Sequence, residues 1–391
     1  MIPRDELENR INRLQAAMQK EGINGALLVQ RADLFYFSGT GQNAHLFVPV
    51  EGEPLLIVKK SLIRAEEESP INKIVPFTGW DNLTALITES IGTSRVVGLE
   101  NDVLPFALYK RYEKLLAGYK LVDISNEIRA IRAVKSAYEL EIMRKAAKIS
   151  KAVFERASEI IVPGLSEVEL AGQLELTARI LGHQGAVRMR GFNQELYFGH
   201  ILAGSNASLV TFFDGPTGGS GLNPSYPQGA GQNRIKANEP VLVDFVSIAG
   251  GYMVDQTRIF SVGEPKPHLM TAYKEAVNIK KALIREGRPG TLGSALYATA
   301  ADMAAQAGLA NHFMGYTEKV RFVGHGVGLE LDELPVIADG LEMPLQEGMV
   351  FALEPKFIFP GEGTVGIEDT FVVSCEQLEQ LTLLDNQWTI L

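Results

Sequence analysis

Apolar positions in the first third of the chain switch between two periods. Leu7, Ile11, Leu14 and Met18 recur at helical spacing and predict an amphipathic helix. Residues 25–30, 45–50 and 54–58 are short apolar runs that predict strands, as do 95–100 and 120–123 on either side of a helical run over 104–117. Strand and helix signals in alternation predict an α/β domain. A long charged helical stretch is expected over 125–161. Pro163-Gly164 stops it, and Ser166 with Glu169 offers a capping box for the next helix. From about residue 190 strand signals dominate, with one helical block over 269–307. The expected organisation is an α/β amino-terminal domain over 1–132 and an α+β carboxy-terminal domain over 133–391.

Two late strand pairs carry acidic residues inside apolar runs. Asp244 lies in Pro240-Val-Leu-Val-Asp-Phe-Val246 and Asp255 in Tyr252-Met-Val-Asp-Gln-Thr-Arg-Ile-Phe260, with Ala249-Gly250-Gly251 between them as a hairpin turn. A turn centred between Ala249 and Gly250 sets Asp244 directly across from Asp255. Likewise Glu354 follows the run 349–353, Glu368 lies in the run 365–373, and a turn centred on Gly361 sets the two glutamates across from each other. Directly opposed residues have Cβ atoms only ~4.5–5.5 Å apart, where like charges repel. Such pairs in apolar strands need a cation or protons to neutralise them. His325, in Val323-Gly-His-Gly-Val-Gly-Leu329, adds a nitrogen donor. Four carboxylates and one imidazole suit two divalent ions of Mn, Co, Zn or Fe.

The order Asp, a second Asp eleven positions on, then Gly-His-Gly-Val-Gly, Leu-Glu-Pro and Ile-Glu-Asp-Thr resembles the pita-bread metallopeptidases: aminopeptidase P, prolidase and methionine aminopeptidase, with creatinase as a metal-free relative. The amino-terminal third resembles the creatinase/prolidase amino-terminal domain. The resemblance implies Asp244, Asp255, His325, Glu354 and Glu368 as ligands of two metal ions. It also implies Glu354 as general base, metal-bound hydroxide attacking an amide bond of a small peptide, and a homodimer. Three positions depart from that pattern: Thr211 and Asp332 stand where relatives carry histidines, and Gly366 where they carry arginine. Replacement groups are His200 as a proton donor and, more weakly, Tyr226; Asp332 and Glu333 either bind a cationic substrate group or face solvent. These departures keep two alternatives open, a non-peptidase C–N hydrolase or lyase acting on a small molecule, and a non-catalytic metal-binding homologue.

Residues 215–231 hold nine Gly or Pro in 17 and predict an irregular segment, either a surface loop or a wall of the pocket. Gly361-Glu-Gly-Thr-Val-Gly366 matches G-x-G-x-x-G but joins two strands and opens no helix, so it fails as a dinucleotide motif. A net charge of −10 argues against nucleic acid or an anionic membrane as partner. With one cysteine, no apolar leader and no apolar run of about 18 residues, a cytoplasmic protein is expected.

Overall fold

The structure, a computed structural model, describes residues 1–93 and 95–391. The chain divides into two compact units, Met1–Arg132 and Ala133–Leu391.

The first unit runs α1 (Arg4–Glu21), β1 (Gly25–Leu28), α2 (Arg31–Ser38), β2 (Ala44–Pro49), β3 (Leu55–Val58), α3 (Leu62–Glu68), β4 (Lys73–Pro76), α4 (Trp80–Ile91), β5 (Val96–Leu99), α5 (Phe106–Leu115), β6 (Lys120–Asp123) and α6 (Ser125–Ala133). Its sheet has the order β4-β3-β2-β1-β5-β6, with β2 antiparallel to β1 and β3 and the other pairs parallel. α1 buries Leu7, Ile11, Leu14 and Met18, each such side chain contributing about 1.5–3 kcal/mol. β1, β2 and β3 are buried along their whole length, which is why they read as unbroken apolar runs. Within this core His45 Nε2 meets the Tyr112 hydroxyl at 2.8 Å, and its ring lies edge-on to Trp80.

The second unit continues with α7 (Ala137–Ile160), α8 (Glu167–Ile180), β7 (Gly199–Ala203), β8 (Val241–Ala249), β9 (Tyr252–Ser261), α9 (Pro267–Glu286), α10 (Gly293–Gln306), β10 (Phe322–Gly326), β11 (Glu333–Ala338), β12 (Val350–Leu353), β13 (Lys356–Phe359), β14 (Gly363–Gly366), β15 (Asp369–Val373), β16 (Leu378–Gln380) and β17 (Thr389–Ile390). Its strands form one sheet ordered β17-β9-β8-β7, another ordered β11-β10-β12-β15-β16, and the ribbon β13-β14. α7 and α8 bury apolar residues against β7 and β8, while α9 and α10 cover the ribbon and β11. Among the described residues no helix is long and apolar enough to cross a membrane.

Three expectations are corrected here. The helical stretch over 125–161 is two helices, because Ser136 starts α7 afresh: its side chain accepts from the Glu139 N–H while the Glu139 carboxylate takes the Ser136 N–H. The block over 269–307 is also two, α9 and α10, separated by a segment containing Arg288-Pro289-Gly290. The third concerns the β8–β9 hairpin. Its loop is the pair Gly250-Gly251, with φ of 53° and 88°, the two-residue turn that needs positive φ at both positions. Ala249 therefore pairs with Tyr252, Asp244 with Thr257 and Asp255 with Val246. The aspartates share a face but are diagonal neighbours, ~7–8 Å apart.

Beneath this face lies a buried charge cluster. The Asp369 carboxylate accepts hydrogen bonds from Arg258 Nη2 at 2.8 and 3.0 Å, from Gln256 Nε2 at 2.8 Å, from Thr382 Oγ1 at 2.7 Å and from Lys280 Nζ. Burial works against its charge, but Arg258 and Lys280 outweigh that and hold the carboxyl below the usual range. Asp369→Asn strips the counter-charge from two buried cations and is expected to lower unfolding free energy by about 3–5 kcal/mol, read from denaturant midpoints.

Burial, reinforced by the charge of Lys59, drives His45 from 6.5 down to about 3. Between those values the unfolded chain binds the extra proton. The resulting stability is complete above about pH 6.5 and is lost as pH falls toward 3, at up to about 1.4 kcal/mol per pH unit. His45→Gln should flatten that decline, measured by urea unfolding through Trp80 fluorescence in a Trp388→Phe background.

Candidate functional site

The site is built on two neighbouring rows that run across the strands of the second unit. In the first row His200 pairs with Asp244, Asp244 with Thr257, and Thr257 bridges to Glu368. The pairs Leu353–Asp369 and Lys356–Gly366 lie on either side in one continuous register, setting Glu354 across from Glu368. The second row is offset by two residues and so projects from the same face. Asp255 lies beside Thr370, whose Oγ1 takes its N–H at 2.9 Å; Thr370 pairs with Ala352, and Ala352 with His325. Asp244, Asp255, His325, Glu354 and Glu368 thereby line one cavity of about 280 Å³, together with His200 and Lys356.

Lys356 is the residue that reading the sequence missed. Its Nζ donates to Asp244 Oδ2 at 2.9 Å, Glu354 Oε2 at 2.8 Å and Glu368 Oε2 at 2.9 Å. Three N–H donors meet three carboxylates, which satisfies the ammonium completely. The available signal was its place two residues after Glu354 in an extended segment, hence on the same face, with Gly366 opposite.

On the other side of the cluster the donors are open. His325 Nε2 lies 3.9 Å from Asp255 Oδ2 and 3.8 Å from both Glu354 Oε1 and Glu368 Oε1. His325 Nδ1 faces the Leu331 carbonyl at 2.8 Å, which orients Nε2 toward the carboxylates; burial opposes the ring's charge, but Glu368, Glu354 and Asp255 outweigh it and raise it to about 10, so an ion would displace the Nε2 proton. Glu368 Oε1 is buried without a hydrogen-bond partner. Ligand atoms of Asp255, His325 and Glu368 all lie within 4.8 Å of one another. One divalent ion, with bonds of ~2.0–2.2 Å to nitrogen and oxygen, fits this set. A second, which the resemblance implied, does not fit this arrangement, because its oxygens on Asp244 and Glu368 already hold Lys356 Nζ.

Electrostatics follow the same division. Burial opposes the charge on Lys356, but Asp244, Glu354 and Glu368 outweigh it and hold the ammonium well above the ordinary lysine range. Burial likewise opposes the charge on Glu368, yet Lys356 and His325 pull its carboxyl down to about 2. Asp255, which gains no such contact from Lys356, is pushed well above the usual carboxylate range by burial and by the Glu368 and Asp244 charges. Burial also raises Glu354.

The walls settle several expectations. His200 is buried, its Nε2 has no hydrogen-bond partner, and its ring meets Phe213 edge-on. Asp332 lines the cavity, but its two oxygens accept the Arg190 and Gly191 N–H groups, each at 2.7 Å. Those contacts make it a fastening for the 190–191 backbone. Glu333 does not face solvent: it is buried and accepts from Lys135 Nζ at 2.9 Å and Leu329 N–H at 2.8 Å. Tyr226 stands in an adjoining cavity against Tyr197, away from the carboxylates, and Thr211 donates to the Pro227 carbonyl. Residues 215–231 are irregular, and Gly215, Pro216 and Thr217 form a wall of the site. Glu167, at the start of α8, steadies this region by accepting from Ala203 N–H, Asn206 Nδ2, Gly231 N–H and Asn233 Nδ2.

Comparison with known proteins agrees with this architecture. Residues 10–134 match the model of the creatinase/prolidase N-terminal domain, and residues 141–374 match that of metallopeptidase family M24. The chain is 25% identical over 384 residues to an Xaa-Pro dipeptidase of Pyrococcus furiosus, covering 97% of this chain and 99% of that one. It is 27% identical over 369 residues to a probable dipeptidase PepE of Mycobacterium tuberculosis, covering 92% and 90%. The solved structure of an Xaa-Pro dipeptidase from Bacillus anthracis superposes with a TM-score of 0.84 at 25% identity, covering 98% of this chain and all of that one. With its α/β creatinase-like first unit and α+β pita-bread second unit, the chain belongs to metallopeptidase family M24.

Proposed function

We propose that this chain hydrolyses an amide bond of a small peptide, an Xaa-Pro dipeptide or tripeptide being the substrate class, in the cavity above Asp255, His325, Glu354 and Glu368. The observation that carries the reading is the pairing of an imidazole fixed through Nδ1 with a buried, unpartnered Glu368 oxygen across an opening lined by two further carboxylates. That donor set suits one divalent ion of Mn, Co, Zn or Fe. When bound, such an ion supplies a Lewis acid and lowers the pKa of a water. The relatives named as dipeptidases support the substrate class.

The remaining work falls to side chains of this chain. Glu354 turns Oε1 toward the open set and Oε2 toward Lys356, and burial raises its affinity for a proton. It is the group suited to take a proton from water and return it to the departing amine. His200, kept neutral by burial, offers Nε2 to the substrate. Asp332 positions the 190–191 wall against which the substrate lies. A volume just below the usual ~300–1,000 Å³ for ligand pockets favours a short substrate. A homodimer belongs to the same reading, and light scattering should return twice the chain mass.

A second reading, C–N hydrolysis or a lyase step on a small non-peptide molecule, is favoured by Lys356, whose ammonium stands where the peptidase pattern implies an ion. A panel of Xaa-Pro dipeptides and tripeptides, assayed for released amine with Mn²⁺ or Co²⁺ supplied, separates the two. Turnover that a chelator abolishes and added ion restores is expected, and Glu354→Gln should reduce kcat by roughly 10²–10⁴-fold. Absence of turnover on every such peptide with ion bound would transfer the assignment to the second reading.

A further inference from the structure

A side chain outside the expected ligand set reaches into the carboxylate cage. Lys356 opens β13, and alternation along that strand sends Phe357 and Phe359 into the core beneath α9. Lys356 projects the other way, toward the carboxylates. Its side chain is 2% exposed, so it is enclosed rather than swung in from the surface. On the paired strand Gly366 leaves the space it needs: a Cβ there would lie 2.6 Å from Lys356 Cγ. A buried ammonium is tolerated only when fully paired, and this one has three carboxylate partners.

We propose that the Lys356 ammonium is a resident cation occupying one of the two cation positions of the carboxylate cage, so that the chain binds no more than one divalent ion, on the Asp255–His325–Glu368 side. The proposal deepens the hydrolase reading and relies on it only for where that ion sits. Charge balance is consistent with it: Asp244, Asp255, Glu354 and Glu368 carry four negative charges, against three positive ones from an ammonium and a divalent ion. Asp244 then anchors Lys356 instead of coordinating metal. Because all three N–H donors are used, the lysine side of the cage offers no open position to water or substrate. Any activated water is thereby confined to the His325 side, whereas a two-ion centre would place it between both cations.

Metal counting on the full-length protein tests this. The chain is incubated with Mn²⁺, freed of loose ion, and analysed by plasma mass spectrometry, with electron paramagnetic resonance on the same samples. The expected result is at most one Mn²⁺ per wild-type chain, one more in Lys356→Ala, and a spin-coupled Mn pair only in the variant. Two tightly held ions per wild-type chain overturn the proposal. So does an unchanged count in a folded Lys356→Ala protein. Should that variant fail to fold, Lys356→Met keeps the stem and removes the charge, its thioether being a poor ligand for Mn²⁺, and the same gain of one ion is expected. No ion in the wild type but one in the variant would uphold the resident cation while removing the metal from the hydrolase reading. No ion in either would remove both.

Discussion

Within 2.9 Å of one nitrogen, three carboxylates from β8, the segment after β12 and the segment before β15 converge on Lys356. Without that contact the central strands would bring four acids together on a nearly water-free surface, where like charges at sheet spacing repel and isolated ionised groups are expensive. The ammonium divides the cluster. Asp244 and one oxygen each of Glu354 and Glu368 are hydrogen-bonded by the chain's own cation. Asp255 and the second oxygens of Glu354 and Glu368 are left around His325 as an open donor set. Fold and chemistry meet there, since the paired side stabilises the sheets and the open side retains reactivity.

Charge is also separated by depth. Successive strand residues point to opposite faces, so Glu368 projects into the cavity while its neighbour Asp369 projects beneath, where Arg258 and Lys280 hold it. Each acid has its own cations, and the strand carrying both is fixed from two sides. Thr257 joins the layers: its hydroxyl donates to Glu368 Oε2 while its carbonyl accepts from Arg258. A ligand carboxylate held this way has little freedom to follow a bound ion. That favours a centre of preset geometry over one that assembles around metal.

Much of this was legible in the residues, and the gaps have physical causes. Periodicity identified α1 and the apolar strands because burial there is continuous, and the acids stood out because apolar runs seldom contain them. Lys356 passed unnoticed since a single lysine in a strand ordinarily marks a solvent-facing position, and what distinguishes it is its place two residues after Glu354 with Gly366 opposite. Glu333 was left between a cation-binding and a solvent-facing role because its partner, Lys135, lies 198 residues away. Asp332 looked like an available acid because its two partners are backbone amides, which side-chain identities do not reveal. The aspartate register failed by one step of turn chemistry, as two glycines at positive φ moved the centre of the hairpin.

That tight Gly250-Gly251 corner constrains how this ribbon can change in length. Adding or deleting one residue there would rotate everything beyond it by half a pleat and send the Asp255 side chain to the reverse of the sheet. A change of two would preserve its orientation, because the turn can re-form at the new centre with the same residues opposed. While a two-residue turn is kept, insertions and deletions between Asp244 and Asp255 leave both acids on one face only in even numbers, and the eleven-residue interval separating them is a parity requirement as much as a distance.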